Sequence, residues 1–227
     1  MLSFKDFLET MKGIYDNKSL CRILQNIECK KVKIFGNLIE FGAEPLSKKN
    51  FSTLAKKNRA KKIHYSDKYI KKPGVINADL NKKTSLKKNY YNTVLLFNVM
   101  EHLTNIKNAK KEIKRILKKN GRLIGSTPFL YRFHGAPSDY LRFTKPFLIF
   151  FFQKEFKITN IKNLGFGPFC LCYSLISDFT KKIPLLNLFI FPITLLLDII
   201  LSLFVKYNLE DIYPIALFFN LKKKKIR

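Results

Sequence analysis

The run Tyr91-Asn-Thr-Val-Leu-Leu-Phe-Asn-Val99 constrains this chain most, because its apolar residues follow one another without the alternation of a half-solvated strand. Val94 to Val99 has the composition of a parallel strand covered on both faces. Thr104 then reads as an N-cap, and Ile106, Ala109, Ile113, Ile116 and Leu117 recur near the helical period, with lysines on the remaining face. Asn120-Gly121 reads as the helix stop, and Leu123 to Ser126 resumes an apolar run that Pro128 closes. The spacing predicts a strand, helix, strand unit whose helix crosses over a sheet. Ligands of such sheets lie beyond the C-terminal ends of the strands, here Asn98 to His102 and Thr127 onward.

Upstream, Lys33 to Phe35 and Asn37 to Ala43 read as a strand entering a turn. Pro45, Leu46, Phe51, Leu54 and Ala55 read as the helix that follows. Glu40 lies in that strand, and Gly42 is the one loop residue that permits unrestricted close approach of a ligand. Ile63 to Asp67 and Val75 to Leu80 are two further apolar runs, carrying Asp67 and Asp79 at their ends. An ionised carboxylate is acceptor-only and can take two hydroxyl protons. An aspartate after a strand also commonly caps its own turn, and both roles stand open for these residues. Downstream, Phe129 to Thr144 gathers Tyr131, Arg132, His134, Asp139, Tyr140 and Arg142 into a short span, with Gly135 and Pro137 shaping the loop.

The acidic strand ends, the run Asn98-Val-Met-Glu-His-Leu103 and the pattern His134, Pro137, Asp139-Tyr140, Arg142-Phe-Thr144 together resemble class I S-adenosylmethionine-dependent methyltransferases of the type 11-like group. The resemblance covers about residues 30–170, and 213–221 as a final strand. It implies an α/β, Rossmann-like, doubly wound seven-stranded sheet whose last strand is antiparallel. It also implies S-adenosyl-L-methionine as cofactor and methyl transfer by direct displacement. On this resemblance Glu40, Gly42 and Ala43 face the cofactor's methionine portion, Asp67 the ribose hydroxyls and Asp79 the adenine amino group. Asn98 and Val99 meet the cofactor at the end of the fourth strand. The family's loop usually carries two or three glycines and this one keeps only Gly42, so an ordinary strand-to-helix turn remains the alternative.

Tyr131, Arg132, Tyr140 and Arg142, with Glu101 and His102 at the entrance, are the expected acceptor-facing residues. An oxygen or nitrogen acceptor must lose a proton, and His134 is the candidate base by intrinsic pKa, with Asp139 orienting it or acting as base itself. The plainer alternatives are a loop hydrogen-bonding His134, a salt-bridged helix start from Asp139 to Arg142, and a Glu101-His102 pair that caps the next helix.

At 227 residues and 47% hydrophobic content, one sizeable core and a single domain are expected. Its parts are an N-terminal helical cap (1–30), a cofactor-binding core (31–170), a hydrophobic helical insertion (171–211) and a final strand with a basic tail (212–227). Residues 1–30 lack the apolar core of a secretory signal, so a cytoplasmic location is expected. Cys21, Cys29, Cys170 and Cys172 form no zinc-like set; no metal is expected, and reduced thiols are. The net charge of +27 suits a polyanion, but the excess is mostly lysine spread over Lys30 to Lys119 and no RNA-reading motif accompanies it. The expected acceptor is therefore a small molecule, a sugar or a lipid-linked intermediate, with an RNA methyltransferase and a catalytically degraded binding protein as the alternatives.

Ile183 to Val205 is apolar enough to span a bilayer, between Lys181-Lys182 and Lys206. Pro184, Pro192 and Asp198 argue against a simple spanning helix. A returning final strand would also keep both ends of the stretch on one side. A monotopic element on an anionic membrane surface, a lid and a dimer contact all fit this pattern.

Overall fold

The computed structural model describes residues 3–135, 138–180 and 183–224; Pro137, Lys181-Lys182 and the end of the basic tail lie outside them. The helices are α1 (Phe4–Tyr15), α2 (Leu20–Lys31), α3 (Ile106–Ile116), α4 (Lys145–Phe152), α5 (Pro168–Ile176), α6 (Pro184–Phe204) and α7 (Leu209–Ile212). The strands are β1 (Lys33–Phe41), β2 (Lys56–Asp67), β3 (Val75–Asn77), β4 (Tyr91–Phe97), β5 (Leu117–Pro128), β6 (Phe156–Leu164) and β7 (Ala216–Lys223). They form one seven-stranded sheet in the order β3-β2-β1-β4-β5-β7-β6. Neighbours from β3 to β5 run parallel, and β7 is antiparallel to β5. This is the doubly wound sheet with an inserted antiparallel last strand that the resemblance implied.

The chain divides into two compact units. One comprises Cys29–Thr127, His134–Lys162 and Phe218–Arg227; the other comprises Met1–Glu28, Pro128–Phe133 and Asn163–Leu217. In the first, Val94, Leu95 and Leu96 of β4 are buried, as the unbroken apolar run requires. Gly125 of β5 lies where a Cβ would collide with the Leu96 carbonyl and the Phe219 ring, so a side chain there would part the strands.

Three sequence expectations need correction. The helix expected over Pro45 to Ala55 is only a 3-10 turn at Phe51–Thr53, because Leu46 takes a left-handed φ of 62° that interrupts any helix from Pro45. Asn105, not Thr104, caps α3, its side chain accepting the Asn108 N–H; the Thr104 N–H goes instead to Asn81 Oδ1. Asn120-Gly121 does not end α3, which stops at Ile116. It lies within β5, where Asn120 takes φ 62° and the register against β4 jumps between Tyr91–Leu117 and Thr93–Arg122.

In the second unit α6 runs through Pro192 as one helix. Asn187, Phe191, Leu195 and Asp198 form its buried stripe, at helical spacing. Asp198 is not presented to solvent or lipid: its two oxygens accept the N–H groups of Phe169 (3.0 Å) and Cys170 (2.9 Å) at the start of α5. Gly167, the cap position of α5, has no side chain to do this, and a Cβ there would collide with the Asp198 carboxylate. A carboxylate supplied from another helix thus satisfies that helix start.

Glu112 fastens α3 to the segment before β4. Its buried carboxylate accepts from the Thr84 N–H (2.8 Å) and hydroxyl (2.9 Å) and from Arg115 (2.7 Å). Burial alone would raise its pKa, but the Arg115 hydrogen bond and then those from Thr84 hold it at about 2. A pKa lowered by folding adds stability above the unfolded value, and that stability is lost as pH falls through the folded one. Glu112→Gln is therefore expected to cost about 2 kcal/mol at neutral pH. Urea titrations should show this difference shrinking below about pH 4.5 and vanishing near pH 2; a constant difference across that range would remove the assigned linkage.

Candidate active site at the C-terminal edge of the sheet

Strand register brings the expected cofactor residues to one edge. Asn77 pairs with Asp67, Ser66 with Phe41, Phe41 with Leu96 and Leu96 with Gly125, so β3, β2, β1, β4 and β5 reach that edge together. Gly42 follows β1 with φ 71°, a conformation glycine adopts freely, and its N–H donates to the Ser66 carbonyl at 2.8 Å. A Cβ at 42 would stand 3.1 Å from Val99 Cγ2, so the loops after β1 and β4 approach one another at the glycine. Asn98 takes a left-handed φ of 53°, and its N–H donates to the Ser126 carbonyl.

The acidic residues differ in how they are used. Glu40 is buried and its carboxylate accepts the N–H groups of Phe51 (2.7 Å) and Ser52 (3.0 Å), which folds the loop after β1 back over the strand end. Phe51 then stacks on Phe97 of β4 with ring centroids 3.8 Å apart. Asp67 accepts the N–H groups of Tyr69 (2.6 Å) and Ile70 (2.9 Å) through Oδ1, capping its own turn. Asp79 accepts from Asn81 and pairs with Lys68 at 3.2 Å, and the hydrogen bonds from Asn81 and Lys68 lower its pKa against the opposing effect of burial. The turn-capping alternative thus describes both aspartates as they stand. It leaves them at the strand ends, with Asp67 Oδ2 free of those turn bonds.

The loop after β1 makes a left-handed turn at a residue other than glycine. Leu46 is 99% exposed at its left-handed φ, a conformation in which a leucine is strained. The loop is braced by Glu44, paired with Lys72 at 2.5 Å, and by Pro45, which lies where Gly74 would carry a Cβ.

A polar cluster follows β4. Glu101 has no exposed side-chain surface, and burial pushes its carboxyl up to about 8. His102 Nε2 stands 3.9 Å and His134 Nε2 4.0 Å from Glu101 Oε1, and the two rings meet edge-to-face at 5.1 Å. His102 Nδ1–H donates to the Ser138 carbonyl at 2.6 Å. His134 Nδ1 faces Asp139 Oδ2 at 3.3 Å, and burial lowers the His134 pKa against the pull of Asp139. Arg142 grips Asp139 with both terminal nitrogens, holding its carboxyl at about 2. The backbone N–H of Tyr140 donates to the Glu101 carbonyl at 2.8 Å and fixes this segment against β4.

His134, Asp139, Arg142, Glu101 and His102 are thus brought together, whereas the Tyr140 ring is more than half exposed. Arg132 lies in the other unit, where it pairs with Asp178, and Tyr131 lies in that unit too. The central position of Glu101 between two imidazoles was missed in the sequence, as was the Ser138 carbonyl. The available signal was a Glu-His pair directly after a largely buried strand, with a second histidine in the polar segment Tyr131 to Arg142.

Residues 44–125 match the family model described as "Methyltransferase domain". No curated protein matches the chain. Among solved structures, an S-adenosylmethionine-dependent methyltransferase from Mesorhizobium loti is 9% identical with a TM-score of 0.51, over 87% of this chain and 95% of its own. Loganic acid methyltransferase with SAH is 9% identical with a TM-score of 0.50, over 95% of this chain and 94% of its own. The [4+2]-cyclase SpnF is 11% identical with a TM-score of 0.53, over 90% of this chain and 80% of its own. At these identities the likeness is one of fold. The methyltransferase-domain match over residues 44–125, the sheet order and the antiparallel seventh strand together show that this chain has the fold of class I S-adenosylmethionine-dependent methyltransferases.

Proposed function

We propose that the chain methylates an oxygen or nitrogen atom of a small molecule, a sugar or a lipid-linked intermediate. The donor supplies an electrophilic methyl group on a sulfonium. The left-handed Gly42, the free oxygen edge of Asp67, Asp79 and the Asn98–Val99 turn suit it, since they bring a close backbone approach and carboxylate acceptors to one edge. Glu40 contributes by holding the loop after β1, through Phe51 and Ser52.

The observation that carries the acceptor reading is the buried Glu101–His134–Asp139 cluster beyond β4. Displacement at a methyl carbon needs alignment and exclusion of water, and a hydroxyl or amine acceptor must also lose a proton. This cluster is assigned that proton, with His134 as the group Asp139 orients and Arg142 holding Asp139 in place. Transfer of labelled methyl groups into fractionated cell extract tests the assignment. Label is expected in the lipid, glycan or small-molecule pools, with His134→Ala lowering the rate at least about tenfold. Label confined to RNA, or a rate unchanged in His134→Ala, would contradict it.

We also infer that the outer face of α6 rests on an anionic membrane surface. Leu185, Phe189, Ile193, Leu196, Leu203 and Phe204 are more than half exposed, while the polar Asn187 and Asp198 turn inward. Such a face, on a chain of net charge +27, suits an interface of acyl chains and acidic headgroups. The protein is expected to pellet with vesicles containing anionic lipid and to resist release by high salt, and Leu196→Glu with Leu203→Glu should return it to the supernatant. A wild-type protein that stays in the supernatant would leave a lid or dimer contact as the role of α6.

A further inference from the structure

We infer that Glu101, His102 and His134 form a binding site for a divalent first-row transition cation, the chemical class to which Mn²⁺ and Zn²⁺ belong. The donor atoms of the three side chains lie within 4.8 Å of one another. Two imidazole nitrogens and one carboxylate oxygen are a donor set that such cations take, with positions left open for a substrate oxygen.

Four buried acidic side chains show why this one needs a ligand. Glu40, Glu112 and Asp198 each place both oxygens, or a full set of donors, against N–H and O–H groups. Glu101 receives only the Thr127 hydroxyl, at 3.5 Å on Oε2, and Oε1 has no hydrogen-bond partner among the described residues. A buried acceptor left so is costly, and what faces it cannot relieve the cost.

The tautomers make the point sharper. His102 commits its Nδ1–H to the Ser138 carbonyl, and His134 turns Nδ1 toward the Asp139 carboxylate. Each ring then presents the Nε2 lone pair to Glu101, so three electron-pair donors converge with 3.9 and 4.0 Å between them. That spacing is too long for a direct hydrogen bond. It is about what two metal–ligand bonds of roughly 2.1 Å span at a wide angle, which small ring rotations would close. Histidines that bind metal commonly give the other ring N–H to a backbone carbonyl or a carboxylate; His102 does so to the Ser138 carbonyl, and His134 Nδ1 stands 3.3 Å from Asp139 Oδ2, which Arg142 holds in place.

This deepens the methyl-transfer reading and rests on it in one respect only: a bound cation would hold the acceptor hydroxyl by its oxygen and lower that hydroxyl's pKa, so that the proton would leave to solvent water in place of His134. Cation binding itself needs neither donor nor acceptor. The test is calorimetric titration of the full, chelator-stripped chain with Mn²⁺ and with Zn²⁺. One saturable site per chain is expected for at least one of them. Near-isosteric Glu101→Gln, His102→Ala and His134→Ala should each weaken binding by about 10–100-fold, while His64→Asn, on β2, leaves it unchanged. Melting curves of each variant show whether the fold survives. Absence of saturable binding by the folded wild type, or equal binding in the folded Glu101→Gln and His134→Ala proteins, overturns the site. Binding without methyl transfer keeps it and sinks only the functional reading above.

Discussion

The parallel register of β4 between β1 and β5 is the constraint on which the polar edge depends. Phe41, Leu96 and Gly125 fall in line, and that pairing sets Gly42 against Val99 and starts the Glu101 turn directly at the strand end. The register is enforced by burial: Leu95 and Leu96 of β4 and Leu123 and Ile124 of β5 are buried, and a slip by one residue would exchange the side chains presented to the two faces. Gly125 adds a local lock, since only a residue without a Cβ fits between the Leu96 carbonyl and Phe219.

Around that frame the chain uses buried carboxylates as fasteners. Glu40 folds the loop after β1, Glu112 ties α3 to the approach to β4, and Asp198 starts α5 from within α6. Each converts the cost of burying a charge into a fixed loop or helix end by giving it several donors. Glu101 breaks the pattern. It is as buried as the others, yet its free oxygen points at two histidines. Among the four fully buried acids, Glu101 alone keeps an oxygen with no hydrogen-bond partner among the described residues, the signature of a group used for binding or chemistry.

Much of this was legible in the sequence because burial on both faces imprints an unbroken apolar run. β4 and the returning β7 were readable for that reason, as was the helix between β4 and β5 from its period. Leu46 and Asn120 were not, since a left-handed φ at a residue other than glycine leaves no mark in composition. The role of Asp198 was hidden too: its partners are backbone N–H groups far away in the chain, so it read only as an awkward charge in an apolar stretch. At the site, His134 with Asp139 followed from their closeness in sequence. The meeting of His134 with Glu101 and His102 depends on how the segment after β5 folds back to the end of β4, which local pattern does not encode.

The central claim is that the edge formed by Gly42, Asp67, Asp79 and Asn98 holds the methyl donor although the loop after β1 keeps a single glycine. Isothermal titration of the purified chain with S-adenosyl-L-methionine addresses it directly. Saturable binding at one site per chain, weakened at least about tenfold by Asp67→Ala through loss of a carboxylate acceptor, is the predicted result. A folded protein that takes up no donor would contradict the account and leave a binding protein on a methyltransferase fold.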